Sequence, residues 1–302
     1  MHTPLFGGWQ RARAEPARII LPALVLLGCV AASGEQPDAG GGRFERRAAG
    51  CRVVAPSAVA GAPVLEGCTR AAAAITRLLG RAAPAGLVVV RPDPAGDSTR
   101  THSVVRRTDE AWMFEMRPEA VGGELELGDG GRLSAVGYAA HESAHRIATT
   151  ILFPTDSGAA DGARYGSPLP DWLDEGIALL TEPAADQRAR LRLLFDGGMI
   201  YALPLRRFLY MAHPALSGVP AGSQLRRTFY GQSLAFSLFI QERAGAEGVR
   251  RLADALQRGE TQGVALTELP GMPRDGGTLE QDWLAWLRAR QGQLATDRGA
   301  TP

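Results

Sequence analysis

The segment His141-Glu142-Ser143-Ala144-His145 lies inside a stretch, Leu133 to about Leu152, whose apolar residues recur with helical spacing until Pro154 stops it. Two histidines four apart on a helix share one face, a turn from each other, which is the spacing that two ligands of a tetrahedral zinc ion need. Glu142, beside the first of them, can reach a water on such a metal. The plainer alternative is a pair of helix histidines packed near Ala140 and Ala144 with no ligand role.

A third ligand decides between classes of such sites. The pattern HExxHxxGxxH would supply another histidine, but its glycine position is Ala148 and its last histidine position is Ile151. Downstream, Pro170-Asp171-Trp172-Leu173-Asp174-Glu175-Gly176-Ile177-Ala178 offers a glutamate on a following helix instead. With both segments in view, the sequence resembles the gluzincin metallopeptidases, in particular the peptidase MA-like domains and more distantly the membrane aminopeptidases. Their ligand helix reads WLxEGxA, as Trp172 to Ala178 does here.

That resemblance spans about Ser134 to Leu287. It implies one catalytic Zn2+ held by His141, His145 and Glu175, Glu142 as general base, and a peptide or protein substrate. A bland reading of Glu175 also stands, because acidic residues favour the first turn of a helix for its dipole. Two departures are visible. Asp174 stands where the aminopeptidases usually have Asn, in a chain that contains no Asn and no Lys at all. The stretch from His145 to Glu175 is also longer than theirs, so the loop Thr155 to Leu169 either shapes the substrate cleft or is a passive surface insertion.

Phe229-Tyr230-Gly231-Gln232-Ser233-Leu234-Ala235-Phe236 resembles the helix that follows in peptidase MA-like domains. By that analogy Tyr230 donates to the oxyanion of the reaction; the alternative is a core tyrosine at a helix start. His213 is a weaker candidate for the same role, and as a residue it reads as a solvated loop histidine. Trp112, Phe114 and Met116 alternate along a strand before the histidine helix, either as a sheet edge that pairs with extended substrate or as a core strand.

With 32 acidic and 33 basic residues the chain has no field of one sign, which sets nucleic acid aside as a partner. A hydrophobic content of 45% over 302 residues is enough for a real core.

Arg11, Arg13 and Arg18 precede the apolar run Ile19 to Gly28, which reads as an export signal too short to span a bilayer. Its end, Leu26-Leu27-Gly28-Cys29, resembles the lipobox of bacterial lipoproteins, implying lipidation of Cys29 and a membrane anchor facing the periplasm. Cleavage after Ala32 is the competing outcome and would release a secreted or periplasmic protein. Either way Cys51 and Cys68 remain as an even pair, a disulfide worth about 3 kcal/mol in an oxidising compartment or two buried thiols.

The expected organisation is therefore α+β. It comprises a signal peptide over 1–28, a flexible tether over 29–49, a small N-terminal sheet subdomain over 50–132 and a mainly helical zincin-like part over 133–292. A disordered tail covers 293–302, and the active site lies between the two folded parts. Strands are expected at Cys51 to Val54, Leu87 to Arg91, Thr101 to Arg106 and Ala111 to Met116, the last two as a hairpin around Arg107 to Glu110. Helices are expected at Pro63 to Arg81, Leu133 to Leu152 and Asp171 to Thr181. Further helices follow at Asp186 to Phe195, Leu205 to Met211, Leu225 to Ala244, Gly248 to Gln257 and Leu279 to Gln291. A peptidase is the function this points to, with a catalytically inactive binding or scaffold lipoprotein of the envelope as the alternative.

Overall fold

The computed structural model describes residues 43–91, 110–116, 125–126, 132–154, 167–195, 200–220 and 222–299. The export signal, the lipobox with Cys29, the strand expected at Thr101 to Arg106 with most of its hairpin, and most of the loop after Pro154 lie outside them. Among the described residues no helix is long and apolar enough to cross a membrane.

The fold is α+β, a four-stranded sheet followed by a mainly helical region. The sheet order is β1 (Phe44–Ala48), β2 (Cys51–Ala55), β3 (Gly86–Val90), β4 (Trp112–Met116). β1 pairs antiparallel with β2, while β2, β3 and β4 run parallel. Parallel neighbours need a crossover, and α1 (Ala58–Leu79) supplies it between β2 and β3. Ser57 caps α1 by accepting from the Ala60 amide, and Gly80 ends it in the left-handed region at φ 65°. The helix thus starts five residues before Pro63, the expected start.

β1 corrects the expectation of a tether running to residue 49. The turn into β2 is Ala49-Gly50, both at positive φ (45° and 81°), the backbone that a tight two-residue hairpin demands. Alanine rarely takes that conformation, so Gly50 alone marks the turn, and the exposed face of β1 reads as solvated chain. Cys51 and Cys68 form a disulfide that ties β2 to α1.

After a short hairpin of β5 (Leu125–Glu126) and β6 (Arg132–Leu133), α2 (Ala135–Leu152) begins at Ser134, whose hydroxyl accepts from the Gly137 amide. It buries Gly137, Ala140, His141, Ala144, His145, Ala148 and Leu152, a stripe at i, i+3, i+4 and i+7 spacing. α3 (Asp171–Leu179) follows, then α4 (Ala184–Leu194), α5 (Leu205–Leu209), α6 (Gln224–Ala244) and α7 (Gly248–Gln257). α8 (Gln262–Glu268) was not expected, and α9 (Gly276–Gly299) runs through the region expected as a disordered tail from 293.

Sheet and helices share one continuous core, from Val53 and Val88 through Ile147 to Phe236 and Trp283. α1 lies along α2, and α3 is packed between α2 and α6. Trp172 anchors α3, with its ring edge-on to Phe236 at 5.1 Å and its indole N–H donating to Gln262 Oε1 at 3.0 Å. Gly176 permits the close approach of α3 to α6, since a Cβ there would lie 2.1 Å from Ser237 Oγ and 3.0 Å from the Ser233 carbonyl oxygen.

Candidate metal centre

Every residue of α3 from Trp172 to Leu179 is buried. A helix buried all round should be apolar, because burying a charge without a partner is expensive. Yet α3 carries Asp174 and Glu175 side by side, each 1% exposed. Both acids face histidines of α2.

The Nε2 atoms of His141 and His145 lie 3.1 Å apart. Glu175 Oε2 is 3.2 Å from His141 Nε2, and Glu175 Oε1 is 3.6 Å from His145 Nε2. Neither oxygen of Glu175 accepts a well-formed hydrogen bond from the described residues, although both are fully buried. Such orphaned carboxylate oxygens require explanation, and an ion is one.

The opposite edges of both rings are tied to carboxylates. His141 Nδ1 lies 2.9 Å from Glu182 Oε1; a carboxylate can only accept there, so Nδ1 carries the hydrogen. His145 Nδ1 lies 2.9 Å from Asp174 Oδ2, so the same reasoning places a hydrogen on it. With hydrogens on both Nδ1 atoms, two neutral rings turn bare Nε2 lone pairs toward one another and toward an anion. That arrangement repels itself unless a cation sits among the three groups, and orienting carboxylates behind the histidines is how proteins build metal sites. Separations of 3.1 to 3.6 Å also match ligands about 2.0–2.1 Å from a common tetrahedral centre. His141, His145 and Glu175 form a buried group that could hold a metal ion.

The electrostatics express the same demand for positive charge. Burial disfavours a charged His141, but the carboxylates of Glu175 and Glu182 on either side of its ring outweigh it and hold its pKa at about 10. His145 is raised in the same way, against burial, by Asp174 and Glu175. Burial would raise Glu175, yet the histidines around it hold it well below the usual carboxylate range.

Further residues brace the centre. Arg190, 3% exposed, forks onto both oxygens of Glu182 at 2.8 Å. Arg70 of α1 fixes the segment that carries Glu182 by donating to the carbonyls of Thr181 and Glu182. Ser167, at the end of the long loop, donates to Asp174 Oδ1 at 2.8 Å.

His213 corrects the reading of a solvated loop histidine: it is fully buried. Its backbone N–H donates to Asp171 Oδ2 at 2.6 Å, and its Nε2 lies 3.0 Å from the Tyr230 hydroxyl and 3.4 Å from Glu175 Oε1. Tyr230 is half-buried on α6 with the Arg190 guanidinium 5.3 Å over its ring. The contacts close a ring that passes from His141 to Glu182, Arg190, Tyr230, His213, Glu175 and back to His141. Glu142 is half-buried, whereas the other four residues of its pentapeptide are buried.

Of the residues to which the sequence points, His141, Glu175 and Tyr230 belong to this ring, and Glu142 and His145 sit beside it on α2. Glu182 and Arg190 escaped notice because Thr181-Glu182-Pro183 reads as an inter-helix turn and Arg190 as a solvated helix charge. Trp112, Phe114 and Met116 are all buried, and β4 packs against α2. Comparison of the chain with protein-family models, with curated proteins and with solved structures returns no match.

Proposed function

We propose that this chain is a zinc-dependent metallopeptidase of gluzincin type, hydrolysing peptide bonds of a peptide or protein substrate. The observation that carries the reading is the convergence of two histidine Nε2 atoms on the buried carboxylate of Glu175.

Zinc bound there would supply an electrophile that polarises the scissile carbonyl and lowers the pKa of water toward ~7. The chain's own residues do the rest. Glu142, the partly exposed member of its pentapeptide, takes a proton from the attacking water and returns it to the departing amine. Tyr230 donates to the carbonyl oxygen as that oxygen gains charge. Burial of His141, His145 and Glu175 strengthens every electrostatic contact at the reacting centre.

The export signal and the Cys29 lipobox add a location to the proposal: an envelope protein held to the membrane by a lipid and facing the periplasm. The oxidising compartment this implies agrees with the Cys51 to Cys68 disulfide.

The test has two parts. Purified protein should contain near-stoichiometric zinc, lost in Glu175→Ala; a folded, metal-free wild type sinks the reading. Glu142→Gln should keep zinc and lose cleavage of a peptide library. Equal cleavage by both forms would reject Glu142 as the base, and zinc without cleavage in either would leave a metal-binding scaffold.

A further inference from the structure

His213 belongs to a segment, Met211 to Gly218, that is neither helix nor strand, yet it contacts α3 twice. Its backbone N–H bonds Asp171 and its ring reaches Glu175, residues four apart and therefore on one face of α3. The same ring meets Tyr230 of α6.

The protonation of the ring follows from its neighbours. The Ala215 backbone N–H donates to His213 Nδ1 at 3.2 Å. A backbone amide is only ever a donor, so Nδ1 carries no hydrogen and the hydrogen of the neutral ring sits on Nε2. It is therefore Nε2–H that donates to the Tyr230 oxygen at 3.0 Å, and its positive end lies beside Glu175 Oε1. The phenol's own hydrogen is turned away from His213 as a result.

We infer that His213 is a positioning residue that holds the carboxylate of Glu175 and the phenol of Tyr230 in register with one N–H. Resting as it does on the metal-centre reading, this assigns His213 an indirect role: it stands outside the candidate ligand group and acts through Glu175 and Tyr230. With no exposed surface at all, the ring cannot reach a substrate, but it can fix the two groups that do the work on either side of it. Outer partners of metal ligands commonly carry such weight.

The test compares His213→Leu, which deletes the N–H, with His213→Gln, whose side-chain amide can restore a donor near Nε2. In the full chain loaded with cobalt(II), His213→Leu should bind cobalt about 10- to 100-fold more weakly by chelator competition. The visible cobalt bands should move, because Glu175 is no longer held. On peptide cleavage kcat should fall with little change in KM, and His213→Gln should recover most of each property. A folded His213→Leu protein with wild-type cobalt affinity and spectrum overturns the inference. Should His213→Leu not fold, long-range nitrogen–proton NMR of wild-type imidazoles decides: the hydrogen on Nε2 upholds it, and on Nδ1 overturns it. A wild-type chain that takes up no cobalt instead defeats the metal-centre reading beneath it.

Discussion

Glu182 lies seven residues beyond Glu175 and holds His141 from behind, its Oε1 2.9 Å from the ring's Nδ1. The bond engages Nδ1 and turns the other ring nitrogen, Nε2, toward Glu175, where it can hold a proton or an ion. Glu182 is in turn held by Arg190 on both oxygens, so the orientation of the His141 ring depends on a buried ion pair.

Glu182→Gln should therefore weaken metal binding about 10- to 100-fold, as loss of an outer partner does. It should also destabilise the fold by about 3–5 kcal/mol, because Arg190 is left as an uncompensated buried charge. Chelator competition and chemical unfolding of the same preparation separate the two effects. Replacing Arg190 with Met in that background should recover stability without recovering affinity.

The metal-free protein should lose stability as pH rises above about 6.5. His141 has a folded pKa raised to about 10 against an ordinary 6.5, so its contribution is fully present below 6.5 and disappears as pH climbs through 10. A metal replaces that proton, so the zinc-loaded form should show no such decline and zinc uptake should release protons. Melting temperatures of both forms from pH 6.5 to 10 check the first part, and titration in weakly buffered solution checks the second. Parallel curves for the two forms would contradict it.

Gly176→Ala should destabilise the protein by about 1–3 kcal/mol through overpacking and lower its metal content, because α3 must move away from α6 and takes Glu175 with it. The worst clash is with the Ser237 hydroxyl, and the next is with the Ser233 carbonyl. Adding Ser237→Ala to Gly176→Ala should consequently recover part of the stability, with the backbone contact setting the remainder. Thermal melts and metal analysis of the two proteins are sufficient.

The candidate ligand group His141, His145 and Glu175 was legible in the chain because its geometry is local. A helix repeats every 3.6 residues, so His141 and His145 share a face wherever α2 packs, and Ser134 and Pro154 bound that helix by their own chemistry. The Asp171 to Ala178 segment was legible for the same reason, along with the helices whose apolar stripes are regular. Gly176 was legible as a letter of a motif, but the Ser237 contact that requires it was not.

Tertiary structure alone decided the rest. Glu182 is 41 residues from His141, and His213 is 42 from Asp171; no periodicity relates residues on different elements. His213 looked solvated since nothing in Met211-Ala212-His213-Pro214 records that the loop folds down onto α3 and α6. β1 was hidden by a turn built on Ala49, a residue that seldom takes positive φ. Sequence thus determined which side chains share a helix face, because that follows from the backbone repeat. Only packing determined which faces meet, because that depends on the summed burial of a core drawn from the whole chain.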